Sequence, residues 1–308
     1  MLPFDSLISA NQLTPEIISQ ITAVTDKMAD DIDRYGRINL LEDKVVALLF
    51  FEPSSRTMLS FQSAAQRLKA GMVFAQGAAS TSIEKGESLE DTIRMVEAYS
   101  DIIVMRHPWH GSAETAARTS TVPFINAGDG GNEHPTQSLI DAYTIMRHKG
   151  RLDDLNVVFG FDSLQSRSIH SLTTLLSQYP NNRFTFTGPE ELMPTSKMLE
   201  SMNDMGVECS VADSVDLNDG YDIFYVNRLQ QERFADPVLF EKNRKKYRLT
   251  RKQVEGSDCL ILDPLPRIDE IDTDVDDLPN ALYFKQASYG VPVRMALLSL
   301  LLSKHNTP

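Results

Sequence analysis

Cysteine is nearly missing from this 308-residue sequence: Cys209 and Cys259 form neither a CxxC pair nor a disulfide framework. Two isolated thiols suit a reducing compartment and inert buried side chains. Positive charge is scarce as well, 30 Lys and Arg against 43 Asp and Glu, a net charge of −13. That deficit argues against a nucleic-acid or anionic-membrane partner, since both need a broad cationic face. No run approaches the roughly 18 apolar residues of a membrane span. The opening MLPFDSLISANQLTPEII has no basic stretch followed by an apolar core, so no secretory signal is expected and the cytoplasm is the expected address. No GxxxxGK[ST] loop occurs, and AGDGGNE (127–133) breaks GxGxxG at Glu133, which disfavours nucleoside triphosphates and dinucleotides. His107, His110 and His134 lack the acidic partner of a zinc pattern. Neither a metal nor a cofactor is expected.

What is present is a soluble, globular composition, 42% hydrophobic and 24% charged, in a chain long enough for two domains. Apolar runs rich in β-formers recur at 45–51, 102–106, 122–127, 156–161, 183–188, 207–212, 221–227 and 259–264. They alternate with helical patterns at 58–70, 88–99, 135–148, 167–178, 238–248 and 291–303. That rhythm predicts an α/β protein whose parallel strands are covered by helices on both faces. The polar stretch HKGRLDDLN (148–156) suggests a domain boundary near it.

Open parallel sheets bind ligands beyond the carboxyl ends of their strands, and those ends hold the chemistry here. The first run is followed by EPSSRT (52–57), the second ends in Arg106, the third leads to His134, and later ones lead to Arg167, Arg228 and Pro264-Leu265. Ser54, Ser55, Arg56 and Thr57 ahead of a helix supply hydroxyls, a guanidinium and unpaired N–H groups, a recipe for phosphate. A plain helix cap is the competing account of the same residues. Ser82-Ile83-Glu84-Lys85 matches SxxK without the companion SDN and KTG elements. It reads as a solvated loop whose Lys85 could still reach an anion. The acidic stretch Asp269, Glu270, Asp272, Asp274, Asp276, Asp277 fails the EF-hand pattern and reads as a solvated loop. His134, opening a helix, is expected as a neutral hydrogen-bond donor.

Taken together FFEPSSRT (50–57), TSIEKGESLEDTIR (81–94), VMRHP (104–108), NAGDGGNEHPTQSLID (126–141), SRSIHSL (166–172), NRLQQERF (227–234), PLPRIDEI (264–271) and YFKQASYGVPVRMALL (283–298) resemble the aspartate/ornithine carbamoyltransferase family. Pro264, where the ornithine branch has cysteine, and the run from Arg228 to Arg233 resemble the aspartate branch. The resemblance implies two domains, 1–133 with 287–308 for carbamoyl phosphate and 134–286 for aspartate, and an active site in the interdomain cleft. It implies transfer of the carbamoyl group from carbamoyl phosphate to the α-amino group of L-aspartate, a step of pyrimidine biosynthesis. It assigns Ser54, Ser55, Arg56, Thr57 and Arg106 to the phosphate. Thr57, Arg106 and His134 surround the carbonyl oxygen, and Gln137 with the carbonyls of Pro264 and Leu265 accepts from the carbamoyl NH₂. Arg167, Arg228, Gln230 and Lys85 serve aspartate, with Ser82 and Lys85 supplied by a neighbouring subunit of a homotrimer. A separate regulatory chain is left open. So are a different amino acceptor and a non-catalytic assembly or regulatory homologue.

The sequence departs from the family pattern at Met58, where arginine is common, at Ser166, where glycine is usual, and at Asp263, where histidine is usual; GFDSLQ (160–165) lacks the familiar Gly-Asp pair. Serine is expected to restrict the backbone ahead of Arg167. Asp263 is expected to add negative charge near a site for anions.

Overall fold

The computed structural model describes residues 2–77, 86–229 and 237–303. The chain divides into two compact units, Met1–Tyr143 with Tyr289–Pro308 and Thr144–Ser288. Among the described residues the first unit carries a four-stranded parallel sheet in the order β2-β1-β3-β4. Its strands are β1 (Val45–Phe50), β2 (Gly71–Gln76), β3 (Ile102–His107) and β4 (Phe124–Asp129). The second unit carries a five-stranded parallel sheet, β7-β6-β5-β8-β9. Here the strands are β5 (Asn156–Gly160), β6 (Arg183–Thr187), β7 (Glu208–Val211), β8 (Ile223–Val226) and β9 (Leu260–Leu262).

Continuous apolar runs become central strands because both of their faces are covered. Every residue of β3, β4 and β8 is buried, as are all but the first of β1 and β5. On one face of the first sheet Ala47, Leu49, Ile103, Met105 and Phe124 pack with Leu89, Ile93, Ala113 and Ala116. The latter come from α3 (Leu89–Glu97) and α4 (Ser112–Thr119). In the second unit Val158, Phe224, Val226 and Ile261 centre a cluster that reaches Tyr247, Val275 and Tyr283. Each Val, Leu, Ile, Phe or Met among them, moved from water into the core, stabilises by about 1.5–3 kcal/mol.

The helices of the first unit also include α1 (Pro15–Tyr35), entered through Thr14 and Pro15 and closed by Gly36 at φ 70°, and α2 (Ser55–Arg67). Then α5 (Pro135–Lys149) carries the chain onward. The second unit adds α6 (Arg167–Leu176), α7 (Ser196–Asp204), α8 (Pro237–Lys246) and α9 (Arg251–Val254). Finally α10 (Tyr283–Leu302) returns the chain to the first unit.

Several elements differ from the sequence expectation. β2 was not expected: its apolar run is only the four residues 72–75, directly after a helical pattern, and at the sheet edge most of its side chains are exposed. α4 (SAETAART) has alanine as its only apolar residue type, and α7 buries only Met202, so each offers a weak apolar signal. α10 begins at Tyr283, well before the expected 291, and contains Pro292. A proline inside a helix removes one backbone hydrogen bond, and this helix runs on through it. The division between units falls within α5, after 133 and before 148–156, because an unbroken helix crosses it and offers no break in composition.

Candidate active site

In the first unit the carboxyl ends of β1, β3 and β4 lie side by side, with Phe50 opposite Arg106 and His107 opposite Asp129. That edge gathers Ser54, Ser55, Arg56, Thr57, Arg106, His134 and Gln137. Ser54 occupies the N-cap position of α2 in an extended conformation, yet its side chain makes no capping hydrogen bond. The cap account thus explains the position of Ser54 and leaves its hydroxyl unexplained. Thr57 is buried while Ser55 and Arg56 are exposed, so the opening turn of α2 presents N–H groups, hydroxyls and a guanidinium together.

Arg106 is buried at the end of β3, where its Nη2 donates to Glu52 Oε1 at 3.1 Å. Glu52 stands in EPSSRT, and sequence reasoning passed over it. A carboxylate is a usual partner for a buried arginine, but only the pairing of β1 with β3 makes it this one.

The loop from β4 to α5 is built on Asp129, another residue without a sequence signal beyond its place in a glycine-rich run. Its carboxylate accepts from Gly111 N at 3.0 Å, Asn132 Nδ2 at 3.1 Å and Glu133 N at 3.1 Å. Glu133 in turn accepts from Ser9 Oγ at 2.6 Å and Ala10 N at 2.7 Å. Gly130, at φ 57°, lies so close to Pro108 O and His110 N that a Cβ would come within 2.9 Å of both. These contacts place His134, buried, at the start of α5. One turn on, Gln137 Nε2 donates to the buried Asp141 at 2.8 Å. That bond orients the amide, leaving Oε1 as the end that can accept a proton from a ligand.

Beside Arg106, His107 is buried, its Nδ1 accepting from Trp109 N at 3.1 Å. Desolvation lowers its pKa against the opposing charges of Glu52 and Asp129, so it sits in the fold as a neutral ring.

In the second unit Arg167, Arg228 and the Pro264-Leu265 turn follow β5, β8 and β9, which are neighbours in that sheet. Arg167 is the first residue of α6, and Ser166 caps the helix by accepting from Ile169 N at 3.3 Å. With φ −87° and ψ 100°, Ser166 occupies backbone space open to any residue, so the expected restriction ahead of Arg167 does not arise. Asn227 links the ends of β5 and β8: its carbonyl accepts from Phe161 N at 3.1 Å, and its Nδ2 reaches Asp162 O at 3.4 Å. Arg228 follows it directly.

Asp263 has a structural task as well. It is buried, its carboxylate accepts from Leu265 N, and its own N–H donates to Gln286 Oε1 at 3.0 Å. One carboxylate oxygen thus closes an Asx-type turn with Leu265 at φ 59°, while Oδ2 is buried with no hydrogen-bond partner, so the negative charge expected here remains. Next in the chain, Arg267 grips Asp276 with both terminal nitrogens, and Tyr283 Oη donates to the same carboxylate.

The acidic stretch is correspondingly not a merely solvated loop. Asp269, Asp272 and Asp276 pair with Arg244, Arg248 and Arg267. Glu270 is buried and accepts from Ile268 N and Asp269 N, both at 2.9 Å; burial pushes its pKa up. Among the described residues no group of three or more His, Cys, Asp or Glu is placed to hold a metal ion. Burial pushes the Cys209 thiol up to about 11 and the Cys259 thiol up to about 12, so both are poor nucleophiles at neutral pH. No described helix is long and apolar enough to cross a membrane. Ser82, Lys85 and Gln230 lie outside the described residues.

Comparison with known proteins matches both units. Residues 5–147 fit the aspartate/ornithine carbamoyltransferase carbamoyl-P binding domain, and residues 153–301 fit the Asp/Orn binding domain of the same family. The aspartate carbamoyltransferase catalytic subunit of Methanocaldococcus jannaschii is 46% identical over 96% of this chain and 97% of its own. A crystal form of the M. jannaschii catalytic subunit superposes with a TM-score of 0.93, at 44% identity, covering 99% of this chain and 100% of that one. The aspartate transcarbamoylase of Trypanosoma cruzi in complex with carbamoyl phosphate and aspartate gives a TM-score of 0.89 at 34% identity, over 96% of this chain and 95% of that one.

Proposed function

Since the chain belongs to the aspartate/ornithine carbamoyltransferase family, we propose that it transfers the carbamoyl group of carbamoyl phosphate to the α-amino group of L-aspartate, releasing phosphate and N-carbamoyl-L-aspartate. The observation that carries this reading is the gathering of Arg56, Thr57, Arg106, His134 and Gln137 at the carboxyl edge of one parallel sheet.

The opening turn of α2 and Arg106 hold the phosphate of the donor. Thr57, Arg106 and His134 donate to the carbonyl oxygen, on which negative charge grows as the amine attacks. Preorganised donors of this kind are each worth about 10²–10³ in rate. Gln137, oriented by Asp141, accepts from the carbamoyl NH₂ together with the carbonyls of Pro264 and Leu265, which distinguishes a carbamoyl from an acetyl group. Arg167, Arg228 and Gln230 take the carboxylates of aspartate, and ornithine would leave one guanidinium facing a cation. The tetrahedral intermediate collapses with loss of phosphate; no covalent enzyme intermediate is involved.

Ser82 and Lys85 come from a neighbouring subunit of a homotrimer, and the protein works in the cytoplasm. The name "catalytic subunit" carried by the archaeal relatives supports a separate regulatory chain.

Colorimetric assay of the purified protein should yield carbamoyl aspartate, and no product at saturating substrates would overturn the activity. Offering ornithine and other amino acids in competition should leave aspartate preferred. Mixing inactive Lys85→Ala and Arg56→Ala subunits should restore part of the activity if sites are shared.

A further inference from the structure

Arg294, on α10, has no place in the roles above, yet it is 3% exposed and its Nε has no hydrogen-bond partner. A permanently charged guanidinium buried without a carboxylate against it is costly, so its surroundings ask for an explanation. Its Nη1 donates to Ser60 Oγ. Ser60 Oγ donates onward to the carbonyls of Arg56 at 2.8 Å and Thr57 at 3.0 Å. The guanidinium carbon lies 4.8 Å above the ring of Phe61, one residue further along α2. Gly290 leaves the space: a Cβ there would approach Nη1 to 2.9 Å. Burial lowers the pKa of Arg294, the Arg106 charge lowers it further, and Asp141 opposes both.

We propose that Arg294 is a positioning residue for carbamoyl phosphate, holding the opening turn of α2 through Ser60 and setting a fixed second positive charge behind Arg106. Three of its neighbours lead to assigned ligand contacts: Ser60 to Arg56 and Thr57, Arg106 itself, and Asp141 to Gln137. Two buried cations facing each other repel, and a phosphate dianion between the donors of α2 and Arg106 relieves that repulsion. The buried charge is thus a standing preference for a doubly charged phosphate over a neutral or singly charged group. The inference rests on the reading of α2 as the phosphate-holding turn and deepens it.

The test compares wild type with Arg294→Met, Arg294→Lys and Ser60→Ala. Arg294→Met should raise the KM for carbamoyl phosphate about tenfold or more, the size expected for losing a charged hydrogen-bonding partner, while the KM for aspartate at saturating carbamoyl phosphate stays within about twofold. Arg294→Lys should recover part of the loss by keeping the charge. Ser60→Ala should fall between them and be non-additive with Arg294→Met. Calorimetric binding of inorganic phosphate, which needs no acceptor or turnover, should weaken in the same order. Unchanged phosphate affinity and carbamoyl-phosphate KM in Arg294→Met, with only a lower Tm, would show a structural residue and overturn the proposal. Should Arg294→Met fail to fold, Arg294→Lys and Ser60→Ala decide by the same two readouts. A wild type that binds phosphate normally but forms no carbamoyl aspartate overturns the proposed activity instead.

Discussion

Arg106 Nη2 lies 3.1 Å from Glu52 Oε1, a pair whose side chains are 11% and 31% exposed. It ties the end of β3 to the segment leading into α2, so the guanidinium assigned to phosphate and carbonyl oxygen is aimed by a carboxylate from the phosphate turn. Glu52→Gln keeps the shape and removes the charge. Loss of a charge-assisted bond of this burial corresponds to about 1.5–3 kcal/mol, so kcat/KM should fall at least about tenfold while circular dichroism remains that of the native fold. Steady-state kinetics with carbamoyl phosphate varied would check it.

Ser166 caps α6 in a backbone conformation that needs no glycine. Ser166→Gly should therefore cost only a few tenths of a kcal/mol, and Ser166→Ala about 1 kcal/mol. Neither should move the KM for aspartate more than about twofold. Chemical denaturation and aspartate titration test the two halves of the statement.

His107 is neutral in the fold, with its pKa lowered chiefly by desolvation. Protonation then favours the unfolded chain, so its contribution is whole above about pH 6.5 and diminishes as pH falls from there towards the lowered folded value. His107→Asn retains an acceptor for Trp109 N and should flatten the decline of Tm between about pH 6.5 and pH 5. His148, whose pKa burial also lowers, leaves a residual slope.

Asp276 receives Arg267 and Tyr283 together, and the hydrogen bond from Arg267 is the main reason its pKa is lowered. Its stabilisation is present above about pH 4 and lost as pH falls through the lowered folded value. Because the carboxylate is 29% exposed, Asp276→Asn should cost no more than about 1–2 kcal/mol. It should also loosen the Pro264-Leu265 turn, seen as a higher KM for carbamoyl phosphate.

The class of the fold was legible because continuous apolar runs at 45–51, 102–106 and 156–161 bury themselves wherever the chain takes them. The positions of the Ser54–Thr57 turn after β1 and of Arg106 in β3, at the carboxyl edge of the first sheet, and of Arg167 and Arg228 in the segments after β5 and β8 of the second were legible because each stands at or beyond the carboxyl end of an apolar run. β2 escaped because its apolar run, 72–75, is short and follows a helical pattern directly, and α10 begins at Tyr283, eight residues ahead of the expected 291.

The sequence by itself determined the buried strands, the residues at and beyond their carboxyl ends and the family resemblance they carry, since all of these depend on neighbours along the chain. Only the tertiary structure decided what aims those residues. Glu52 meets Arg106 across 54 positions, Glu133 meets Ser9 across 124, and Arg294 meets Ser60 across 234. Hydrophobic periodicity reports a face of one element, whereas a buried charge takes its partner from whichever element the fold lays beside it.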